Sequence, residues 1–145
     1  MMTTVKQLLD MKPGKIYSVT PDTLVIDAIR LMDEVKVGAL LVMANSNLKG
    51  IISERDYTRK VILNNRSSST TRVSEIMTGN VKTVSPDNTA DECLRIMSEH
   101  HIRHLPVVDA NGVTGILSIM DVVKTILKEK EFIIEQLNHY ITDTV

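Results

Sequence analysis

A mixed α/β (α+β) fold, built from two copies of one β-α-β-β-α unit, is predicted by three features of this sequence. The chain matches itself without a gap: residues 16–62 run alongside 81–127 at an offset of 65, as from Asp22 to Asp87. Identities in that register include Arg30/Arg95, Met32/Met97, Glu34/Glu99, Val42/Val107, Gly50/Gly115, Ser53/Ser118 and Asp56/Asp121. Each copy carries one helix-spaced apolar set followed by two short apolar runs. Pro-Asp pairs and Asn/Gly-rich stretches punctuate both copies at matching places.

In chain order, Val5–Leu9 reads as a short helix before copy one, and Val73–Met77 as its equivalent before copy two. Each copy then opens with an extended piece (IYSV, VKTV) and a Pro-Asp turn suited to a helix start. Val25, Ala28, Ile29 and Met32, and likewise Ala90, Cys93, Leu94 and Met97, fall at i, i+3, i+4, i+7 and predict a helix. The strands ALLVM and LPVV follow, then the turns NSNLKG and DANGVTG. The strands GIIS and GILS lead into a final helix, with Val61 and Ile62, or Val122, Val123, Ile126 and Leu127, as its apolar face. Repeat one therefore spans 5–63 and repeat two 73–128, with the polar stretch 64–72 as linker. A single copy is too small to keep an apolar sheet face dry, so the pair is the expected folding unit. Residues 129–145 continue as helix, with Ile133, Leu137, Tyr140 and Ile141 on one stripe. That stripe suits packing on the chain's own body and a contact with a second chain equally well.

Seventeen basic residues nearly cancel eighteen acidic ones, for a net charge of −1. This balance, with no Trp and a single Phe, argues against a nucleic-acid binder. Cys93 is the only cysteine, so there is no internal disulfide framework and no CxxC motif. No apolar run approaches the roughly 18 residues that span a bilayer, and MMTTVKQLLDMKPG lacks the apolar centre of a signal peptide. A cytoplasmic protein without membrane or nucleic-acid partners is expected.

Chemistry concentrates where the last strand of each copy meets its last helix. Ser53-x-x-Asp56 and Ser118-x-x-Asp121 have capping-box spacing, which satisfies orphan N–H groups. The same geometry suits a ligand, because a helix start after a strand offers free N–H groups to a phosphate and an Asp accepts both hydroxyls of a ribose. Copy one adds Arg55 and Arg59, whose guanidinium forks suit phosphate oxygens or, alternatively, intrahelical ion pairs. Copy two has Ile119 and Met120 after Ser118 instead. Three histidines fall within His100–His104, but no carboxylate or thiol stands at ligand spacing, and no metal is expected. Cys93 lies on an apolar stripe and reads as a core thiol. No nucleophile–base pairing is recognisable, so no enzymatic activity is expected.

With GIISERD and GILSIMD, the Pro-Asp openings and HIRHLPVV on the page, the chain resembles the tandem cystathionine-β-synthase (CBS) domain pair, or Bateman module, over about residues 5–127. The pair makes up nearly the whole chain, and the SERDYTRK wording is similar to stand-alone members from bacteria and plant organelles. The resemblance implies two repeats packed with pseudo-two-fold symmetry and a non-catalytic regulatory role. It implies an adenine nucleotide (AMP, ADP, ATP or NAD, in some members S-adenosylmethionine) in a cleft between the repeats, and a homodimer. It gives Ser53, Asp56, Ser118 and Asp121 a ribose or phosphate role, and Arg55 and Arg59 a phosphate role. It also sets Arg103, His104 and Pro106 beside the nucleotide, with Gly38 as the copy-one counterpart allowing close backbone approach. Ser18 and Thr83 fall on the strand that lines the base pocket in relatives. The alternative is a protein-interaction adaptor with vestigial pockets, for example one regulating a redox partner.

Overall fold

A computed structural model of the chain describes residues 2–12 and 15–143. The elements run α1 (Val5–Met11), β1 (Ser18–Val19), α2 (Val25–Val35), β2 (Ala39–Ala44), β3 (Asn47–Ser53), α3 (Glu54–Tyr57), a π-helical turn (Thr58–Ile62), α4 (Val73–Ile76), α5 (Ala90–His100), β4 (His104–Asp109), β5 (Gly112–Ser118) and α6 (Ile119–Asp143). The duplicated order appears as expected, with local departures. VKTV forms no strand beyond a parallel bridge from Val84 to Val107, and much of NSNLKG and of DANGVTG belongs to β3 and β5 rather than to turns.

The chain divides into two compact units. One holds Lys15–Lys82 with Ala110–Val113; the other holds the residues before Lys15, Thr83–Asp109, and those from Thr114 onward. In the first unit β1 pairs in parallel with β2, Ser18 opposite Leu41, and β2 pairs antiparallel with β3, Ala39 opposite Ser53. The core gathers Val25, Ala28 and Met32 of α2, Leu40 and Val42 of β2, Ile52 of β3 and Val61. Its α4 residues Val73 and Ile76 are buried with them. In the second unit β4 pairs with β5, and Ala90, Cys93 and Met97 of α5 are buried with Leu105, Val107, Leu117 and Val122. Val5 and Leu8 of α1 complete that cluster.

Each opening helix therefore packs with the copy that does not follow it in sequence. Matching backbone bonds hold both exchanges. Val5 N–H donates to Asn88 O at 2.7 Å and Val73 N–H to Thr23 O at 2.8 Å. Ala90 N–H donates to Thr3 O at 2.9 Å and Val25 N–H to Thr71 O at 2.8 Å. The last of these bonds explains why α2 forms although its N-cap, Leu24, makes no side-chain cap bond. Thr71, in the polar stretch read as linker, is consequently buried.

The apolar stripes of α2 and α5 are buried as their spacing requires, and both helices end on a left-handed residue, Lys36 (φ 59°) and His101 (φ 54°). His101 thus acts as a helix cap. After α3 the helix widens, with Leu63 N–H reaching Thr58 O at 3.3 Å. Val61 is buried there, whereas Ile62 is exposed, so only half of the expected apolar face is used. In copy two Val122 is buried and Leu127 exposed. Among the described residues no helix is long and apolar enough to cross a membrane.

Candidate functional site

Both strand-to-helix junctions are built by the same bonds. In copy one, Ser53 N–H and Oγ–H donate to Asp56 Oδ2 at 3.0 and 3.2 Å, and Asp56 N–H donates back to Ser53 Oγ at 3.3 Å. In copy two, Ser118 N–H donates to Asp121 Oδ2 at 2.8 Å and Asp121 N–H to Ser118 Oγ at 3.2 Å. These are reciprocal capping boxes, so the cap half of the expectation is met at both Ser-x-x-Asp motifs. The residue just before β2 or β4, the first strand of each hairpin, ties down the first helical N–H in each. Glu54 N–H donates to Gly38 O at 3.1 Å, and Ile119 N–H to Arg103 O at 2.8 Å. Gly38 and Arg103 thus meet their junctions through backbone carbonyls, while the Arg103 side chain is exposed.

Each Asp also carries a lysine, and the two lysines come from different elements. Lys60 Nζ stands 3.1 Å from Asp56 Oδ1, one turn along the same helical segment, and donates to Ile76 O at 2.9 Å. Lys12, just past α1, donates to Asp121 Oδ2 at 2.8 Å and to Ile116 O at 3.1 Å. Copy two has Thr125 at the position of Lys60; its hydroxyl donates to Asp121 O at 3.0 Å. Lys12 escaped the sequence reading because it lies outside the aligned repeat, 109 residues from its partner. The i, i+4 spacing of Lys60 to Asp56 was a usable signal.

The two carboxylates differ in what remains open. Asp56 is engaged through both oxygens, Oδ2 by the cap and Oδ1 by Lys60. Asp121 takes cap and lysine on Oδ2 alone, so among the described residues Oδ1 has no hydrogen-bond or ion-pair partner. Burial by itself raises the Asp121 carboxyl, but hydrogen bonds from Lys12 and Ser118 and the Lys12 charge outweigh it and hold it below the usual carboxylate range. His104, at the start of β4, is held below the usual imidazole value first by burial and then by the Lys12 charge, with Asp121 pulling the other way. The matching position in copy one is the buried Ala39.

The other candidates are more dispersed. Arg55 is half-buried and Arg59 exposed, and among the described residues neither forms an ion pair, so the intrahelical pairing alternative is not seen. Pro106 is buried and accepts from Val84 N–H at 3.0 Å, while Ser18 and Thr83 are exposed at the equivalent positions of the two copies. Burial pushes the Cys93 thiol up to about 11, with the Glu92 charge adding to it, which suits a core thiol. Among the described residues no group of three or more His, Cys, Asp or Glu side chains is placed to hold a metal ion.

Comparison with known proteins agrees with this architecture. The family model described as "CBS domain" matches twice, at residues 5–62 and 73–128. The mitochondrial CBS domain-containing protein CBSX3 of Arabidopsis thaliana is 38% identical, over 96% of this chain and 72% of its own. A solved protein with CBS domains from Burkholderia ambifaria MC40-6 is 50% identical and superimposes with a TM-score of 0.84, covering 87% of this chain and 95% of that one. The CBS domain pair of protein MJ0100, solved with 5′-methylthioadenosine and S-adenosyl-L-methionine, is 25% identical with a TM-score of 0.77, covering 89% and 99%. This chain belongs to the CBS-domain family and is a CBS domain pair, a regulatory module.

Proposed function

We propose that this CBS pair is a non-catalytic sensor of an adenine nucleotide (AMP, ADP, ATP or NAD), that it holds the ribose at its Ser-x-x-Asp helix starts, and that it acts as a homodimer. The observation that carries the reading is the state of Asp121. It is a half-buried carboxylate, oriented by its cap and by Lys12 through one oxygen, with Oδ1 left for a hydroxyl donor. A vicinal diol is the donor pair that a carboxylate at a helix start accepts well. The MJ0100 pair, bound to two adenosine compounds, supports the choice of ligand class. Asp56 needs Lys60 to move before its Oδ1 is free, so copy two is the readier ribose acceptor. Arg55 and Arg59 offer copy one cationic forks for phosphate, which favours ligands with longer phosphate chains there.

Calorimetry and thermal shift with AMP, ADP, ATP and NAD test this reading. A ligand at 100 times its dissociation constant stabilises the chain by about 2.7 kcal/mol. Asp121→Ala is expected to weaken binding at least about tenfold, the scale of a lost charged hydrogen bond, and Asp56→Ala less. No response to any of the four, or affinities untouched by both substitutions together, would overturn it.

The adaptor reading has one observation on its side: both carboxylates already hold internal partners. A protein partner captured equally by the parent and by the double Asp→Ala variant, with or without nucleotide, would favour it.

A further inference from the structure

Lys12 closes the copy-two junction from outside the repeat. Its Nζ donates to Asp121 Oδ2 at 2.8 Å and to Ile116 O, on β5, at 3.1 Å. An ammonium group has three N–H donors, so among the described residues one is left over. Asp121 matches it, because its cap and Lys12 share Oδ2 and leave Oδ1 open. Both side chains reach solvent, Lys12 at 41% exposure and Asp121 at 24%. A spare donor and a spare acceptor therefore stand within a single ion pair. Copy one offers no such pair. There Lys60 stands 3.1 Å from Asp56 Oδ1 and donates to Ile76 O at 2.9 Å, so cap and ammonium engage both oxygens of Asp56.

We propose that Lys12 is itself a ribose ligand: Asp121 Oδ1 accepts from one hydroxyl of a vicinal diol, and the remaining Lys12 N–H donates to the oxygen of the other. The inference rests on the ribose role proposed for Asp121. It adds a second binding residue, just past α1, and a direction for each hydrogen bond. The chemistry suits a diol in particular. A hydroxyl both donates and accepts, so two vicinal hydroxyls meet a carboxylate and an ammonium at once. The tie to Ile116 O holds the ammonium in place before any ligand arrives, so little ordering is left for binding to supply. The ligand class is then a ribonucleotide with both ribose hydroxyls free.

Calorimetry on the full chain carrying Asp56→Ala, which leaves copy two as the ribose site, tests this with AMP and its 2′-deoxy and 3′-deoxy forms. AMP is expected to bind at least about tenfold tighter than either deoxy form, the scale of one hydrogen bond to a charged group. Adding Lys12→Met is expected to bring AMP and one deoxy form within about twofold of each other. The other preference, carried by Asp121, persists. A smaller folded fraction weakens all three ligands by the same factor, so the preferences stand even where the variant is less stable. Three results overturn the Lys12 contact and spare the ribose role of Asp121: preference over only one deoxy form at the outset, preferences that both survive Lys12→Met, and preferences that both vanish with it. AMP that does not bind, or binds no better than either deoxy form, overturns that role and this inference together.

Discussion

Asp121 and His104 both feel the Lys12 charge, and this shared influence has a pH signature. The folded Asp121 value is lowered, so its contribution to stability is whole above the ordinary value of about 3.9 and is lost as pH falls through the folded value. The folded His104 value is lowered too, so stability also declines as pH drops below about 6.5, where the unfolded chain takes up a proton first. Lys12 contributes to both shifts. Lys12→Met is therefore expected to be less stable than the parent at pH 7, with the gap narrowing steadily toward pH 3. Urea melts across that range measure it, and a gap that is constant or widens on acidification would count against the coupling. At this scale the sequence exposed the acids and their caps, because Ser-x-x-Asp is a local pattern. It hid Lys12, because that ion pair joins residues brought together only by packing.

Among elements, the last strand of each copy uses a glycine where the segment of an opening helix approaches it, with different neighbours in the two copies. A Cβ at Gly50 would stand 2.6 Å from Thr78 O and 2.8 Å from Met77 Sδ, against the backbone that follows α4. A Cβ at Gly115 would stand 2.7 Å from Leu9 Cδ2, the tip of a side chain on α1 that has other rotamers available. Gly50→Ala is expected to cost about 1–3 kcal/mol, and Gly115→Ala measurably less. Chemical denaturation separates the two, and equal losses would show that Leu9 is as immobile as a backbone carbonyl. The helical stripes of α2 and α5 were legible because a buried face imposes its period on the sequence. The π-helical turn after α3 was not, since Val61 and Ile62 satisfy an ordinary helix equally well until the widened turn leaves Ile62 in water.

For the molecule as a whole, duplication and unit boundaries do not coincide. The repeats follow the chain, while α1 is buried with copy two and α4 with copy one. Leu8→Ala should therefore cost about 2–5 kcal/mol and loosen a part of the protein remote in sequence. Hydrogen exchange is expected to show lost protection in α5 and the first turns of α6, with α2 and β2 little changed. Loss centred on residues 15–62 would contradict the exchange of opening helices.

By itself the sequence determined the duplicated β-α-β-β-α order, the buried stripes, the Ser-x-x-Asp caps and the CBS resemblance. All of these are written in spacings within a few residues or in one constant offset. Only the tertiary structure decided which copy each opening helix completes, which lysine meets each Asp, and that α6 is exposed from Lys130 to Thr142. The physical reason is common to the three. Val5–Met11 and Val73–Ile76 are short apolar helices that fit either core by composition, and Lys12 and Lys60 are flexible cations that suit either carboxylate. The stripe of α6 suits its own body and a second copy alike. Local pattern says what each group needs, and long-range packing says which partner supplies it.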